Sequence, residues 1–559
     1  MHKIFTFMVF SLIGLVSFSQ VAPNKYWVKF TDKNNSPYSI DNPGEFLSQR
    51  ALDRRTAQGI EIEENDLPAN PAYVQGVMDV GATILNVSKW FNSTVIYTTS
   101  SSVVNAINAL PYVLSVEKAG GSNPSGNDTG KPFFKNESFS QIPEGDLLKS
   151  GTSGDSYDYG QAYNQINMLN GIPLHDAGFD GAGMIIAVLD AGFLNVNSLT
   201  AFDSLWNNNQ ILGTRDFVNP QNPNIFNSHY HGSMVLSTMG ANLPGQMVGT
   251  APKASYWLIR TEDAETEYLV EELNWVAGAE LADSLGADVI NSSLGYTTFD
   301  DPSQDHSYSD MDGNTTPITI GADIAVSKGV LVCNSAGNSG GSFWQYIGAP
   351  ADGNDVFSIG AVDGNGNYAS FSSTGPTSDG RIKPNVVAQG AGSTIISPWD
   401  GTVSTGSGTS FSSPITAGIV ACLWQANPDK RNMEIMEAIQ ESATLAGNPN
   451  NQLGWGIPDY SMANSILTVI DNEMDNKASI LTYPNPFNDE LFVSMKDVPG
   501  EISSIELFDL TGKIILSKKV NGSLEQSIKL NGAENLDAGI YFMQVTINNT
   551  VVTQKVIKR

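Results

Sequence analysis

Between residues 156 and 466, short apolar runs alternate with longer stretches of helical character. Met184 to Leu189, Asp288 to Asn291, Val330 to Cys333 and Val356 to Ala361 are almost unbroken by polar residues. Such runs predict strands covered on both faces. Glu267 to Leu285 and Thr315 to Lys328 predict helices between them. Strands alternating with helices predict an α/β fold, a parallel sheet layered between helices. The pattern differs on either side. Before it, strands are predicted at Tyr26 to Phe30, Ala82 to Val87, Thr94 to Thr98 and Tyr112 to Glu117, with helices at Ala72 to Val80 and Ser101 to Leu110. The order β-α-β-β-α-β is that of a small ferredoxin-like α+β unit. After it, Leu491 to Met495, Ser504 to Leu507, Ile514 to Leu516, Gly539 to Ile547 and Val551 to Ile557 predict a small all-β sandwich. Turns are expected at Thr511-Gly512-Lys513 and Asn548-Asn549.

Two segments lack periodicity. Residues 119 to 155 are rich in Gly, Ser, Asn and Asp, and residues 467 to 479 are polar and acidic. Both read as linkers. Exposed linkers attract proteases, so a maturation cut is expected in the first of them. The chain then divides into 1–19, 20–155, 156–466, 467–479 and 480–559. Its 559 residues require several domains.

The first nineteen residues read as a secretory signal. Lys3 supplies the positive end, Ile4 to Val16 is mostly apolar, and Ser17-Phe18-Ser19 offers small residues for cleavage before Gln20. No later apolar run is long enough to span a membrane, so the mature protein is expected to be exported and soluble. The net charge of −29 argues against nucleic acid as a partner, because phosphate binding needs clustered Lys and Arg. With two cysteines, Cys333 and Cys422, no disulfide framework holds the fold. Both lie in apolar segments and read as buried thiols.

Three motifs carry chemistry. Asp190 closes a predicted buried strand, where open α/β sheets place their sites. His231 stands out among five histidines, because it opens a helical run, Gly232-Ser233-Met234-Val235-Leu236-Ser237-Thr238. Ser410 opens the apolar helix from Phe411 to Ala426, with Pro414 expected in the first turn. A serine hydroxyl needs a base within reach and a third group to orient that base. Acid, base and nucleophile are all present, in the order Asp, His, Ser. No cluster has metal-site spacing, and no D-x-D-x-D-G calcium loop occurs.

This order, with Val188-Leu189-Asp190-Ala191-Gly192, His231-Gly232-Ser233 and Gly408-Thr409-Ser410-Phe411-Ser412-Ser413-Pro414, resembles the subtilisin-like serine peptidases (S8 family). The resemblance covers about 156 to 466 and implies a parallel-sheet catalytic domain that hydrolyses peptide bonds through an acyl-enzyme. It implies Asp190, His231 and Ser410 as the catalytic residues and Asn338, in Asn334-Ser335-Ala336-Gly337-Asn338, as an oxyanion donor. Ser293-Leu294-Gly295 would pair with the substrate backbone, and Ala336-Gly337 would form the opposite wall of the specificity pocket. Neither wall is charged, which favours an apolar or aromatic substrate side chain. Two departures stand out: Ala191 replaces the usual Ser or Thr, and Met234 replaces a second His. The N-terminal unit is similar to the propeptides of this family, which inhibit their own enzyme. The last unit resembles the sorting domain of the type IX secretion system, on Tyr483-Pro484-Asn485-Pro486-Phe487, Leu507-Phe508-Asp509-Leu510-Thr511-Gly512-Lys513 and Leu536-Asp537-Ala538-Gly539-Ile540-Tyr541.

The expected partners are therefore polypeptide substrates, the chain's own propeptide and the type IX machinery. The expected destination is the medium or the cell surface. The chemistry requires no cofactor; a structural calcium is compatible with the resemblance. Two rival readings stay open on sequence: a decayed peptidase fold acting as a cell-surface binding protein, and an esterase or amidase.

Overall fold

The computed structural model describes residues 24–120, 137–141, 155–474, 479–496, 502–509, 512–522, 528–547 and 550–559. The signal segment 1–19, most of 119–155, Thr511 and Asn548-Asn549 lie outside the described residues.

The N-terminal unit has four strands, β1 (Lys25–Phe30), β2 (Thr83–Ser88), β3 (Ser93–Tyr97) and β4 (Val113–Lys118), in the antiparallel order β2-β3-β1-β4. Helix α2 (Pro71–Asp79) and helix α3 (Ser101–Asn108) pack on one face of it, around Val28, Phe30, Val77, Ile96 and Ile107. One element has no counterpart in the sequence expectation. Helix α1 (Gln49–Gln58) is capped by Ser48, which accepts from Ala51 N–H, and ends at Gly59 in the left-handed region. Its buried residues are Ala51, Arg54 and Arg55, so it has no apolar stripe to betray it.

The central unit is built on seven parallel strands: β6 (Ile185–Asp190), β7 (Ile211–Asp216), β8 (Ser255–Arg260), β9 (Val289–Ser292), β10 (Leu331–Ser335), β11 (Phe357–Val362) and β12 (Val386–Gln389). Their order is β12-β11-β10-β9-β6-β8-β7. Strand β6 lies where the order reverses, with β8 on one side and β9 on the other, and its carboxyl end is Asp190. Helices α4 (His231–Gly240), α5 (Leu269–Leu285), α6 (Pro317–Ser327) and α7 (Thr409–Ala426) cover the sheet. Their apolar residues divide into one core around Val188, Leu258, Val420 and Phe357 and another around Leu189, Ile290, Trp275 and Val332. Cys333 and Cys422 are buried, unbridged thiols. No helix among the described residues is long and apolar enough to cross a membrane.

Both segments read as linkers contain regular structure within the described residues. Helix α8 (Tyr460–Met474) runs through residues 467–474, because Leu467 continues the apolar face set by Tyr460 and Ala463. Within 119–155, strand β5 (Ser138–Gln141) adds antiparallel to β14 (Val403–Ser407), which itself pairs with β13 (Ser393–Ile396). The C-terminal unit has two antiparallel sheets around Phe487, Leu491, Val493, Ile505, Met543 and Val556.

The N-terminal unit sits on α5. Asp283 of that helix receives Arg54 at 2.6 Å and Arg55 and Lys89 at 2.9 Å. Glu280, one turn earlier, accepts the backbone N–H of Lys89 at 2.8 Å and of Trp90 at 3.1 Å. At the end of β4 the chain reaches the central unit directly, where Val270 N–H donates to the Ala119 carbonyl at 3.0 Å.

Candidate active site

Asp190 ends β6 with its carboxylate fully buried. Its Oδ1 accepts from His231 Nδ1 at 2.8 Å and from Ala191 N–H at 2.7 Å. Its Oδ2 has no hydrogen-bond partner among the described residues. A Ser or Thr at position 191 would bring a hydroxyl to this corner; Ala191 brings none.

His231 begins α4 and is fully buried. Gly232 lets the helix approach the strand end. A Cβ there would fall 2.4 Å from the Gly192 carbonyl oxygen and 3.0 Å from Asp190 Cβ. The second imidazole nitrogen, Nε2, faces Glu137 at 3.3 Å. Burial alone would disfavour the imidazolium, but Asp190 and Glu137, one on each ring nitrogen, outweigh it and push the pKa up to about 10.

Ser410 is the second residue of α7, directly before Phe411, whose ring centroid is 6.4 Å from that of His231. Its Oγ is buried and has no hydrogen-bond partner among the described residues. A helix N-terminus directs backbone N–H groups and positive potential at this point. The helix begins at Thr409, so Pro414 lies beyond the first turn, where it was expected. There it has no N–H to give the Ser410 carbonyl. Ser293 supplies the missing donor, its Oγ 3.0 Å from the Ser410 carbonyl oxygen. Ser293→Ala is expected to destabilise the fold by about 1–3 kcal/mol, because a buried carbonyl loses its donor. A lowered Tm in thermal unfolding would register it.

Asn338 follows β10. Its Oδ1 accepts from Thr409 N–H at 2.8 Å and Thr409 Oγ1 at 3.0 Å, which fixes the oxygen end of the amide on the first residue of α7. Met234 packs with Ile395 and Phe411, and with Phe139 and Tyr230, in a small apolar cluster beside the imidazole.

The residues expected to meet substrate divide. Gly295, Ala336 and Gly337 line a cavity with Ser335, Trp344 and Tyr346. Ser293 and Leu294 are buried behind it: Ser293 is held by Ser410, and the Leu294 carbonyl accepts from Asn334 Nδ2 at 3.1 Å. Sequence reasoning missed Glu267, which also lines this cavity. Glu267 belongs to neither of the two uncharged wall segments and adds a carboxyl group to the cavity they line. Glu267 lies just before α5, and nothing in its local sequence directs it to a cavity formed by residues 28 to 106 positions away. Each of Glu262, Glu267 and Glu271 offers a carboxylate oxygen within 4.8 Å of the others. Tyr296 donates to Glu262, and Glu271 accepts the Tyr268 N–H at 3.0 Å.

Comparison with known proteins agrees with this layout. The subtilase family matches residues 181–456, a peptidase S8 propeptide domain of Bacteroidota matches 25–131, and a secretion system C-terminal sorting domain matches 481–559. The chain is similar to subtilisin BL of Lederbergia lenta, at 31% identity over 279 residues, covering 49% of this chain and 89% of that one. It is 30% identical over 299 residues to alkaline elastase YaB of Bacillus sp. (strain YaB), covering 53% and 69%. It is 29% identical over 297 residues to subtilisin E of Bacillus subtilis, covering 52% and 69%.

Proposed function

The chain belongs to the subtilase family and is a serine-type endopeptidase carrying its own propeptide and an export tail; from that premise we propose that Ser410, His231 and Asp190 perform its chemistry. The observation that carries the assignment is the buried imidazole with Nδ1 on Asp190 and its ring 6.4 Å from that of Phe411, the residue after Ser410. Ser410 Oγ attacks the substrate carbonyl as His231 Nε2 takes its proton. His231 then protonates the leaving amine, which leaves an ester on Ser410. Water, deprotonated by the same nitrogen, releases the acid and restores the serine. Asp190 holds the proton on Nδ1, so that Nε2 presents a lone pair, and stabilises the imidazolium between steps.

Two donors would stabilise the oxygen that becomes negative: the Ser410 N–H at the head of α7 and the Asn338 amide NH₂, whose oxygen is held by Thr409. Asn338→Ala is expected to lower kcat by about 10²–10³ with little change in KM, because the bond strengthens only as charge develops. Steady-state kinetics on a peptide substrate read that split. Ala336, Gly337 and Gly295 would admit the side chain before the scissile bond. Ser293 and Leu294 would act by holding that wall in place.

The sorting domain directs export, to the medium or to the cell surface, and the propeptide on α5 acts as an intramolecular inhibitor. The test of the catalytic assignment is labelling of matured protein by a fluorophosphonate. Label that is present on wild type and absent from Ser410→Ala supports it. Equal label on both would place the reactive serine elsewhere.

A further inference from the structure

Glu137 is a residue at the site that neither the triad nor the propeptide match explains. It lies beyond the propeptide match, which ends at 131, and before the peptidase match, which begins at 181. Its side chain is 1% exposed. One carboxylate oxygen is 3.3 Å from His231 Nε2, and a Cβ built on Gly408 would meet Oε1 at 3.0 Å. The carboxylate therefore stands between the base and the residues that lead into Ser410, and Ser410 Oγ has no partner among the described residues.

The segment behind it is anchored. Strand β5 pairs with β14 through Ser138↔Ser407, Phe139↔Gly406, Ser140↔Thr405 and Gln141↔Ser404. Phe139 meets Tyr230 at 6.0 Å and Phe411 at 6.2 Å, edge-on in both cases. A strand added to an exposed edge gains main-chain bonds along its length and can be exchanged for another peptide.

We propose that residues 137–141 form a second lock on the active site, separate from the propeptide domain, in which β5 seats Glu137 across His231 Nε2 so that base and serine cannot pair until the segment leaves. The charge of Glu137 matters as well as its bulk. With Asp190 on one nitrogen and Glu137 on the other, His231 is imidazolium up to a pKa of about 10 and has no lone pair to take a serine proton. The other groups around this point are His229, whose Nδ1 accepts from the His231 N–H at 3.4 Å, and Tyr230, whose phenol is pushed up by burial and by Glu137. Removing the propeptide domain at or before residue 131 would leave this lock in place, so full activity requires a second event that releases 137–141.

The lock rests on the catalytic assignment above, and one experiment separates the two. Full-length chain is sampled early, labelled with a fluorophosphonate at pH 8, and the uncut band is resolved from the matured band by size. In wild type the matured band takes label and the uncut band stays dark. Glu137→Ala is expected to raise the labelling rate of the uncut band about tenfold or more, the scale of a lost hydrogen bond to a charged group. Phe139→Ala, which loosens β5 without touching His231, moves it in the same direction. Against pH, the uncut wild-type band gains label only as pH nears 10, and Glu137→Gln brings that midpoint down by about one unit or more. Matured protein that labels, with uncut wild-type and variant bands alike at every pH, overturns the lock alone. Matured protein that does not label overturns the catalytic assignment, and the lock with it.

Discussion

Replacing Ser410 with alanine is expected to lower peptide hydrolysis by about 10⁶-fold, the scale reported for removing the nucleophile or the base of subtilisin. The size follows from how the site is built. Ser410 is fully buried at the head of α7, with Phe411 and Met234 packed beside it. Alanine removes one oxygen and leaves that packing in place, so fold and nucleophile are tested separately. The residual rate, roughly 10³–10⁴ above water, is what the oxyanion donors and substrate binding supply alone. A second consequence concerns maturation. If the chain cuts its own linker, the Ser410→Ala protein accumulates at precursor size, and added wild-type enzyme restores the cut. Unfolded casein and gel analysis read both effects. Loss of the native melting transition in the variant would mean that folding had been tested instead.

Asp190→Ala is expected to cost about 10⁴-fold in kcat, less than loss of the nucleophile because the serine and its base both remain. Without the carboxylate, nothing fixes the proton on Nδ1, and the imidazolium formed in each step loses its counter-charge in a buried place. The local geometry also makes Asp190→Asn informative. The oxygen that receives His231 also receives Ala191 N–H, while the other carboxylate oxygen has no partner among the described residues. An amide can keep its oxygen on both donors and put its NH₂ in the vacant direction. The tautomer would survive and the charge alone would be lost. Asp190→Asn is therefore expected to retain more activity than Asp190→Ala. Equal losses would show that orientation contributes little and charge nearly everything.

The catalytic candidates were legible because each sits within a few residues of the element that positions it. Asp190 closes an apolar run, His231 opens a helix and Ser410 opens another, so a local pattern carries all three. The parallel sheet was legible for the same reason. What escaped depends on contacts between distant residues. Arg55 and Asp283 are 228 positions apart, and α1 buries arginines against that carboxylate where an ordinary amphipathic helix would bury leucines. Glu137 sits in a stretch whose composition reads as a loop, and the strand that follows it, Ser138–Gln141, pairs with the distant β14. The role of Ser293 could not be read without knowing where α7 starts, since only then does Pro414 deprive the Ser410 carbonyl of its donor.

Because Ser293 is tied by its hydroxyl to Ser410, and Gly337 N–H donates to Thr409 Oγ1 at 3.1 Å, the two segments that line the cavity from 293–295 and 336–337 differ from the rest of its lining in how readily they can be redesigned. Both segments are bonded to the helix that carries the nucleophile, so reshaping either to admit a new side chain would disturb turnover together with preference. Trp344 and Tyr346, which also line the cavity, stand on a separate loop and make no hydrogen bond to α7 among the described residues. Variation in what this enzyme cuts, whether by natural drift or in the laboratory, has its cheapest route through that loop.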